Sequence, residues 1–322
     1  MTDKKEYIDK INSEIEKINI SGKPKELYKP IQYILNLKSK RVRPILSLLG
    51  FELFDKKIEK IFKPSIAIEF FHNFTLIHDD IMDNATLRRG KKTVHEKWNK
   101  NIGVLSGDLL MIFAFKMLED IESVNLKKIL KRFNEIAIKV CEGQQYDMNF
   151  EKEKNISESD YLNMIKLKTA VLIGFSLELG GLIADQKNEI TSKLYKAGEL
   201  MGIAFQLMDD HLDTFGTEKF GKKIGGDIIS NKKTYLMIKL LEEANQGDLL
   251  IIKKWANIKT QSEEKINVIT HLLKKYNIDL KSEKLTKEYY SKGMGILKNI
   301  PSNKDQMNYL KIFFEKLLVR KN

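Results

Sequence analysis

Acidic side chains recur at two places in the chain with the same spacing, and no other pattern in it is better suited to chemistry. The repeated residues are Asp79, Asp80 and Asp83 in the first motif and Asp209, Asp210 and Asp213 in the second. Residues four apart share one face of a helix, so three carboxylates crowd within one turn and repel one another. Mg²⁺ would offset that repulsion, because it binds carboxylate oxygens and shares its coordination with phosphates. The repeat predicts a site for two or three divalent cations between facing helices.

Basic residues follow each acidic motif and supply the other half of a phosphate site. Arg88 and Arg89 come soon after the first motif, and Lys223 and Lys232 come after the second. Guanidinium and ammonium groups bind phosphate oxygens through charge-assisted hydrogen bonds. An acidic helix end beside a solvated basic loop would explain one such motif. Its repetition favours a site for metal and phosphate.

A third basic cluster, residues 38–43, precedes a predicted helix that starts near Pro44. Proline is favoured in the first turn of a helix, and the positive end of the helix dipole adds to the charge of Lys40 and Arg43. Such a helix start is able to bind an anion. A solvated basic loop is the ordinary alternative, and these residues alone leave both interpretations open.

Composition and periodicity predict an all-α fold. The chain has 322 residues, 42% of them hydrophobic and 31% charged, with only 5 Pro and 18 Gly. Apolar residues recur at the helical period almost throughout, and the alternation typical of strands is nearly absent. No linker interrupts the chain, and one site would need both acidic motifs. We therefore expect residues 1–322 to form a single domain.

Charge and cysteine content exclude several function classes. The net charge is +12, but the lysines are scattered rather than gathered in a stripe, which argues against a nucleic-acid partner. A single cysteine, Cys141, indicates a reducing compartment, and we expect it to be buried in a helix. The N-terminus lacks the apolar core of a signal peptide, and the best apolar run, residues 171–184, is too short to span a bilayer. These features predict a cytoplasmic protein without a membrane span.

The apolar pattern also predicts the helices that position the motifs. They are expected at residues 4–20, 45–54, 64–83, 105–118, 126–147, 161–184, 191–213 and 233–244, with a short one bracketed by Pro24 and Pro30. Helix 105–118 is apolar nearly all round, which predicts an interior position. Lys168, in the middle of helix 161–184, is expected to face a cleft, with solvent as the alternative. The glycine-bearing loop 214–232 is predicted to be a lid over phosphates.

With these residues in place, the sequence resembles the trans-isoprenyl diphosphate synthases, or polyprenyl synthetases, over roughly residues 38–235. The family's motifs are matched in order by Lys40-Arg41-Val42-Arg43-Pro44, residues 79–83, Arg88-Arg89-Gly90, Glu142-Gly143-Gln144, Lys168-Thr169 and residues 205–210. The resemblance implies a bundle of long, mostly antiparallel helices around a central active-site cleft. It also implies a prenyltransferase of isoprenoid biosynthesis, similar to farnesyl and geranylgeranyl diphosphate synthases, that joins isopentenyl diphosphate to an allylic diphosphate.

The resemblance further implies a role for each site residue. Isopentenyl diphosphate would be held by Lys40, Arg43, His72 and Arg89. The allylic diphosphate would be held by Arg88, Lys168, Thr169, Gln206, Lys223 and Lys232. Three Mg²⁺ ions would be bound by Asp79, Asp83 and Asp209, with Asp80, Asp210 and Asp213 binding directly or through water. Lys168, Thr169 and Gln206 would also stabilise the allylic cation, and helices such as 105–118 would form a homodimer.

Product length depends on two aromatic residues before the first motif. Phe74 and Phe71 lie five and eight residues before Asp79, about one and two helical turns deeper. Rings there would act as a floor for the growing product, whereas ordinary core packing is the alternative. The resemblance to short-chain members of the family, which have an aromatic residue five before the motif, implies a product of C15 to C20. A longer-chain polyprenyl synthase, a terpene cyclase, a non-catalytic synthase subunit and a basic scaffold are the other functions to be weighed. Ser39, where the family usually has glycine, is a departure that leaves the cations in place.

Overall fold

The computed structural model describes residues 4–119, 121, 123–153, 155–216, 224–258 and 262–318. Within these ranges all regular structure is helical except one short hairpin, and the predicted all-α class is confirmed. The helices are α1 (Lys4–Lys17), α2 (Lys25–Asn36), α3 (Val42–Glu52), α4 (Glu59–Met82), α5 (Val94–Lys97), α6 (Lys100–Glu119), α7 (Leu126–Phe150), α8 (Glu158–Ile165), α9 (Val171–Ile183), α10 (Asn188–Phe215), α11 (Gly226–Ile229), α12 (Tyr235–Glu243), α13 (Gln246–Ala256), α14 (Glu263–Lys275), α15 (Ile278–Lys298) and α16 (Lys304–Leu318). A π-helical turn, Lys166–Ala170, lies between α8 and α9. The antiparallel hairpin pairs β1 (Leu87–Arg88) with β2 (Lys91–Lys92).

Contacts within the chain divide it into two compact units, each assembled from three segments. Unit 1 contains Met1–Asn134, Phe175–Leu194 and Pro301–Leu310. Unit 2 contains Glu135–Gly174, Tyr195–Ile300 and Lys311–Asn322. The first acidic motif belongs to unit 1 and the second to unit 2. The expectation of a single domain over residues 1–322 stays a prediction.

Helix α4 is the core helix of unit 1, and its end carries the first acidic motif. Its side chains are buried on several sides, with Ile66, Ile68 and Phe70 at most 1% exposed. A helix that is apolar on several sides is stable only when other elements surround it, and α3, α5 and α6 pack against this one. Asn84 follows with a φ of 48°. Asparagine tolerates this left-handed conformation, which ends the helix directly after the acidic motif.

Helix α3 is buried along most of its length, and its start is therefore held firmly. Residues 44–51 are all buried. A Cβ on Gly180 of α9 would lie 2.3 Å from the backbone nitrogen of Phe51, so the two helix backbones touch. The predicted start near Pro44 is nearly right, since the helix begins at Val42 and proline occupies its first turn. The basic segment before α3 is thus joined to a rigid element.

Unit 2 has its own apolar core, to which α8, α10, α12, α14 and α15 each contribute. A representative side chain from each is at most 1% exposed: Tyr161, Leu207, Leu240, Leu273 and Ile278. Burial of one such side chain stabilises the fold by roughly 2 kcal/mol. Helices after residue 245, in which the sequence shows no functional signal, thus help to bury the helix that carries the second acidic motif.

Several sequence-based expectations are wrong in detail. Helix α6 is not interior, because Val104, Leu105 and Ile112 are 41%, 59% and 63% exposed. One face of α6 packs on α4 and α2, and the periodicity of an all-round apolar helix does not tell which face stays uncovered. Cys141 is exposed rather than buried. Pro30 lies inside α2, and the predicted helix 161–184 is interrupted by the π-helical turn.

Among the described residues, one helix is long and apolar enough to cross a membrane by length and composition. It is Lys100–Glu119, rather than the run at residues 171–184 that the sequence ranks first. The exposed apolar residues of α6, among them Leu105 and Ile112, lie on this same helix.

Candidate active site

Both acidic motifs stand at helix ends where the helix dipole opposes negative charge. The last turn of α4 contains Asp79 and Asp80, Asp83 caps it, and no basic residue accompanies them. The last turn of α10 also lacks a basic residue. Free carbonyl groups give a helix C-terminus partial negative charge, so carboxylates there are unfavourable. Each motif therefore favours the binding of a cation.

Asp80 is 1% exposed, and its carboxylate is bound by Arg88. The Nε of Arg88 donates to the two carboxylate oxygens at 3.0 and 3.2 Å, and its Nη2 donates to Oδ1 at 2.5 Å. Burial raises the pKa of Asp80, against the opposing effect of these hydrogen bonds. Burial acts to lower the pKa of Arg88, but its bonds with Asp80 and the nearby carboxylates outweigh burial and raise it. Asp80 therefore positions Arg88, and its predicted contact with Mg²⁺ stays a prediction.

Arg43, His72 and Arg89, predicted to share one diphosphate, come together in unit 1. Arg43 Nη1 lies 2.9 Å from His72 Nε2. Burial lowers the pKa of His72 well below 6.5, and the charges of Arg43 and Arg89 lower it further. Burial also lowers the pKa of Arg43 to about 10, and Arg89 acts in the same direction. Cations this close repel one another, and a bound anion would relieve the repulsion.

The turn of the hairpin places Arg89. Arg89 and Gly90 have φ values of 54° and 74°, as in the tight turns that join two antiparallel strands. A non-glycine residue in this conformation costs roughly 1–2 kcal/mol. Periodicity did not predict the hairpin, because two-residue strands are too short to show alternation. The sequence feature that could have indicated a turn is Gly90, directly after the two arginines.

Arg41, in the same 38–43 cluster, forms a buried ion pair. It is 4% exposed, and its Nη1 lies 2.7 Å from Oε1 of Glu69. It also donates to Leu35 O at 2.5 Å and to Asn12 Oδ1 at 3.0 Å. These bonds fix the loop before α3. Lys40, predicted to bind diphosphate, is exposed on the same loop.

The second motif repeats the arrangement of the first with different partners. Asp210 is 4% exposed, and its carboxylate accepts hydrogen bonds from the Tyr161 hydroxyl and, at 2.9 Å, from Gln206 Nε2. Burial raises the pKa of Asp210 to about 7, while the charge of Lys232 and the two hydrogen bonds oppose the shift. Asp209 and Asp213 are partly exposed. In both motifs, therefore, the second aspartate is buried against a protein partner.

Lys168 and Thr169 lie on the π-helical turn of unit 2. Turns of this kind are rare and occur often at functional sites. Lys168 Nζ lies 2.6 Å from Asp147 Oδ2 of α7, and Thr169 Oγ1 donates to Gln206 Oε1 at 3.2 Å. A Cβ on Gly143 would lie 2.2 Å from the Lys168 backbone nitrogen, so α7 packs directly against the turn. Thr169, Gln206, Asp210 and Tyr161 thus form one hydrogen-bonded chain.

Asp147 and Tyr161 contact predicted site residues but were not themselves predicted from the sequence. Asp147 is the last residue of the predicted helix 126–147, and nothing in the spacing relates it to Lys168. Tyr161 lies seven residues before Lys168, two helical turns away, and nothing distinguishes it there from a core aromatic residue. Lys232 lies 4.0 Å from Asp227 Oδ1. Lys223 lies outside the described residues.

Comparison with known proteins identifies the family. The family model described as "Polyprenyl synthetase" matches residues 24–273. The chain belongs to the polyprenyl synthetase family. It is 35% identical to the geranylgeranyl diphosphate synthase of Sulfolobus acidocaldarius over 93% of this chain and 92% of that protein. It is 34% identical to the geranylfarnesyl diphosphate synthase of Aeropyrum pernix over 68% of this chain and 71% of that protein.

A solved structure agrees with this assignment. A crystal structure of a geranylgeranyl pyrophosphate synthase matches this polyprenyl synthetase with a TM-score of 0.94 and 38% identity, and the match covers 100% of both chains. The chain is therefore a prenyltransferase, and the predicted family resemblance is confirmed. Its similarity to these relatives supports short-chain prenyl diphosphate synthesis.

The donor atoms of the synthetase fit a hard divalent cation. All six motif residues are aspartates, whose oxygens Mg²⁺ prefers. Within the part of the chain that the structure describes, no group of three His, Cys, Asp or Glu side chains by itself forms a metal site. Mg²⁺ usually completes its coordination with water and substrate phosphates rather than with protein ligands alone. The aspartates therefore have the ligand chemistry that such a metal uses.

Below the first motif, aromatic rings form a continuous cluster in unit 1. Phe71 is fully buried, and its ring centroid lies 5.6 Å from that of Phe74 and 5.2 Å from that of Phe133. Phe74 is 8% exposed and contacts His78 at 4.7 Å between centroids. Phe74 is thus the outer ring of the cluster and Phe71 an inner one, as the helical spacing predicts.

Proposed function

We propose that this synthetase joins isopentenyl diphosphate to an allylic diphosphate, head to tail and in the trans geometry, to form a C15 to C20 prenyl diphosphate. The observation that carries the proposal is the pair of acidic helix ends. Each has its second aspartate buried against a protein partner and its first aspartate nearer the surface. The geranylgeranyl diphosphate synthase among the relatives supports a C20 product. The geranylfarnesyl diphosphate synthase, whose product is C25, supports the longer-chain alternative.

Isopentenyl diphosphate would bind the cations of unit 1. Arg89 lies close enough to lower the pKa of Arg43, and the charges of both arginines lower the pKa of His72. Arg43 Nε is buried and has no hydrogen-bond partner among the described residues. A diphosphate would neutralise this cluster and accept from its free donors. Lys40, exposed on the adjoining loop, would bind the same group.

The allylic diphosphate would be held by six side chains. One is Arg88, which follows the first motif, and the others are Lys168, Thr169, Gln206, Lys223 and Lys232. Arg88 is fixed by Asp80, and Lys168 by Asp147, so both charges are preorganised. Preorganised charge stabilises a transition state without reorganisation at the moment of reaction.

The reaction breaks the bond between the allylic carbon and its diphosphate oxygen. Three Mg²⁺ ions would supply charge that stabilises the leaving diphosphate. Asp79, Asp83 and Asp209 would hold them, with Asp80, Asp210 and Asp213 binding directly or through water. Arg88 would stabilise the same negative charge, and Lys232 would hold the diphosphate before the bond breaks. The oxygens of Thr169 and Gln206 would stabilise the positive charge on the allylic carbon. The double bond of isopentenyl diphosphate then forms the new carbon–carbon bond, and the proton lost passes to the departing diphosphate.

Product length would be limited by the aromatic cluster. The chain grows away from the charged groups, along the apolar side of α4, until it meets Phe74. That ring lies one turn below Asp79 and is the most exposed of the phenylalanines on α4 that pack inward. A longer-chain product is the alternative, and it requires that Phe74 leave room for further isoprene units.

The exposed apolar face of α6 would form a homodimer. Val104, Leu105 and Ile112 lie on it, and a face of this kind on a globular enzyme is usually covered by a partner. A second copy of the chain, seated through α6, satisfies this without another protein. Sedimentation at micromolar concentration should give twice the chain mass, and Ile112→Lys should shift the species toward the monomer. We also propose a cytoplasmic location, which the single cysteine, Cys141, supports because it fits a reducing compartment.

The test of the function is product analysis with the purified chain. Labelled isopentenyl diphosphate, Mg²⁺ and one of three primers (dimethylallyl, geranyl or farnesyl diphosphate) should yield C15 to C20 prenyl diphosphates on chromatography. Chelation of Mg²⁺ should abolish the product, and readdition should restore it. A hydrocarbon formed from the primer without isopentenyl diphosphate would indicate a terpene cyclase. Absence of any product from the lone chain would indicate a subunit that needs a catalytic partner.

A further inference from the structure

A buried lysine, Lys265, has no role in the function proposed above. It lies in the first turn of α14 in unit 2 and is 1% exposed. Burying an ammonium group is costly unless it is paired, and the first turn of a helix is the end where positive charge is unfavourable. Among the described residues, no carboxylate lies within ion-pair distance of Lys265. A residue this unfavourable needs a compensating function.

All three hydrogens of the Lys265 ammonium group are used on neutral oxygens. Nζ donates to Asn231 Oδ1 at 2.7 Å, to Ile229 O at 3.2 Å and to Ile258 O at 3.4 Å. A lysine has three donors, so this group is saturated. Two of the three acceptors belong to the 229–231 turn that directly precedes Lys232. Burial lowers the pKa of Lys265.

The same turn has further attachments to α13 and α14. Asn231 has a φ of 56° and donates from Nδ2 to Ala256 O at 3.0 Å. Gly225, with a φ of 80°, packs on Ile266, because a Cβ there would lie 2.8 Å from the Ile266 side chain. The beginning of α14 is therefore the surface on which α11 and the following turn rest.

The other end of this segment is joined to the second acidic motif. Asp213 Oδ2 accepts from Asp227 N at 2.8 Å, and Lys232 N donates to Asp227 O at 2.9 Å. The segment 225–232 is thus held between Asp213 on one side and Lys265 on the other. Lys232, whose side chain is 42% exposed, stands at its end.

We propose that Lys265 is a positioning residue for the allylic substrate: by holding the 229–231 turn it keeps Lys232 where Lys232 binds diphosphate. This rests on the proposed function, in which Lys232 contacts the allylic diphosphate. Lys265 does not touch substrate. Its effect passes entirely through the turn, and loss of Lys265 should therefore act on substrate binding only as long as Lys232 is present.

A double-mutant cycle tests this. Lys265→Met and Lys232→Ala should each raise KM for the allylic diphosphate about tenfold, with kcat changed much less. In the double variant KM for the allylic diphosphate should also rise about tenfold rather than about a hundredfold, because both changes remove the same interaction. Lys275→Met, which removes an ion pair with Asp248 at the other end of the same helix, is the matched control and should leave KM unchanged. Additive effects, or a KM for Lys265→Met equal to that of the wild type, would overturn the proposal.

Hydrogen exchange separates this proposal from the proposed function, because it requires no turnover. Amides of residues 225–232 should exchange faster in Lys265→Met than in the wild type, while those of α15 should not. Unchanged exchange in 225–232 would overturn the positioning role even in an active enzyme. An unchanged KM in Lys232→Ala would instead remove the role assigned to Lys232, and the proposal with it. If Lys265→Met does not fold, Asn231→Gly removes the main acceptor while keeping the backbone conformation and should give the same KM and exchange.

Discussion

Arg43 Nη1 lies 2.9 Å from His72 Nε2, and this contact fixes the protonation of the imidazole. A guanidinium has only donors, so Nε2 must accept and the proton of the neutral ring must be on Nδ1. Burial and the neighbouring arginines agree, since they lower the pKa of His72 well below 6.5. The histidine is therefore a neutral spacer between cations, which keeps the cluster from gaining one more positive charge.

The first prediction is a loss of stability at acid pH that depends on His72. The folded-state pKa is below the unfolded value, so the folded protein binds fewer protons than the unfolded chain as pH falls below 6.5. The stability from the neutral ring is complete above that pH and decreases toward the folded pKa, by at most about 1.4 kcal/mol per pH unit. His72→Gln keeps an acceptor for Arg43 but does not titrate. Urea unfolding at pH 7.5, 6.5 and 5.5 gives the free energy of unfolding, which should decrease less with falling pH in this variant than in the wild type. Equal pH dependence in the two proteins would contradict the assignment.

The second prediction concerns product length. Phe74→Ala should lengthen the product by one or more isoprene units, because it removes the outer ring of the aromatic cluster. Ile68→Ala, which removes a fully buried side chain six residues before Phe74 and therefore on another side of α4, is the control for general loosening of the helix. Both substitutions should cost roughly 2–5 kcal/mol of stability. Chromatography of the products after complete reaction decides: an unchanged distribution in Phe74→Ala would exclude Phe74 as the floor.

The third prediction separates the structural from the substrate-binding function of Arg88. Arg88→Met leaves the buried Asp80 carboxylate unpaired and should destabilise the fold by about 3–5 kcal/mol. Adding Asp80→Asn should recover most of that stability but none of the affinity for the allylic diphosphate. Arg132→Met, which breaks another ion pair to a buried carboxylate, Glu178, is the comparison. It should lower stability while leaving KM unchanged, and a KM effect as large as that of Arg88→Met would refute the distinction.

The fourth prediction uses the close approach of α7 to the π-helical turn. Gly143→Ala would place a methyl group 2.2 Å from the Lys168 backbone, so the turn must move. Overpacking of this kind costs typically about 1–3 kcal/mol, and displacement of Lys168 should lower kcat about tenfold or more. A Cβ on Gly295 of α15 would meet nothing within 4 Å. Gly295→Ala should therefore leave kcat unchanged and slightly raise the melting temperature.

Much of the site was predictable because helical spacing decides which residues share a face. The pattern placed Asp79 and Asp83 together at the end of α4, and the structure agrees. The burial of Asp80 was also readable, though not predicted, because Ile77 and Asn73 lie three and seven residues before it on a buried face. Leu207 and Ile203 stand in the same relation to Asp210. When the three aspartates of each motif are treated alike, the burial of the second one is overlooked.

Other features depend on contacts that spacing does not encode. The partners of the buried carboxylates, Arg88 and Tyr161, come from different elements in the two motifs, so no repeat in the sequence marks them. The exposed face of α6 was not predicted, because periodicity shows how apolar a helix is but not which of its faces another element covers. The three bonds of Lys265 were invisible because a lysine in a lysine-rich segment looks like solvated surface.

The wide turn at Lys166–Ala170 has a consequence for how this chain tolerates change. A π-helical turn holds one more residue than an α-helical turn, so the side chains after it are rotated by about 100° from where an unbroken α-helix would put them. Deletion of a single residue there would let the backbone close into a regular helix. The apolar run that follows would then keep its present neighbours, since the missing residue and the lost bulge cancel. One missing codon would therefore displace Lys168 and Thr169, which lie on the wide turn, and leave the packing of the helix after them intact.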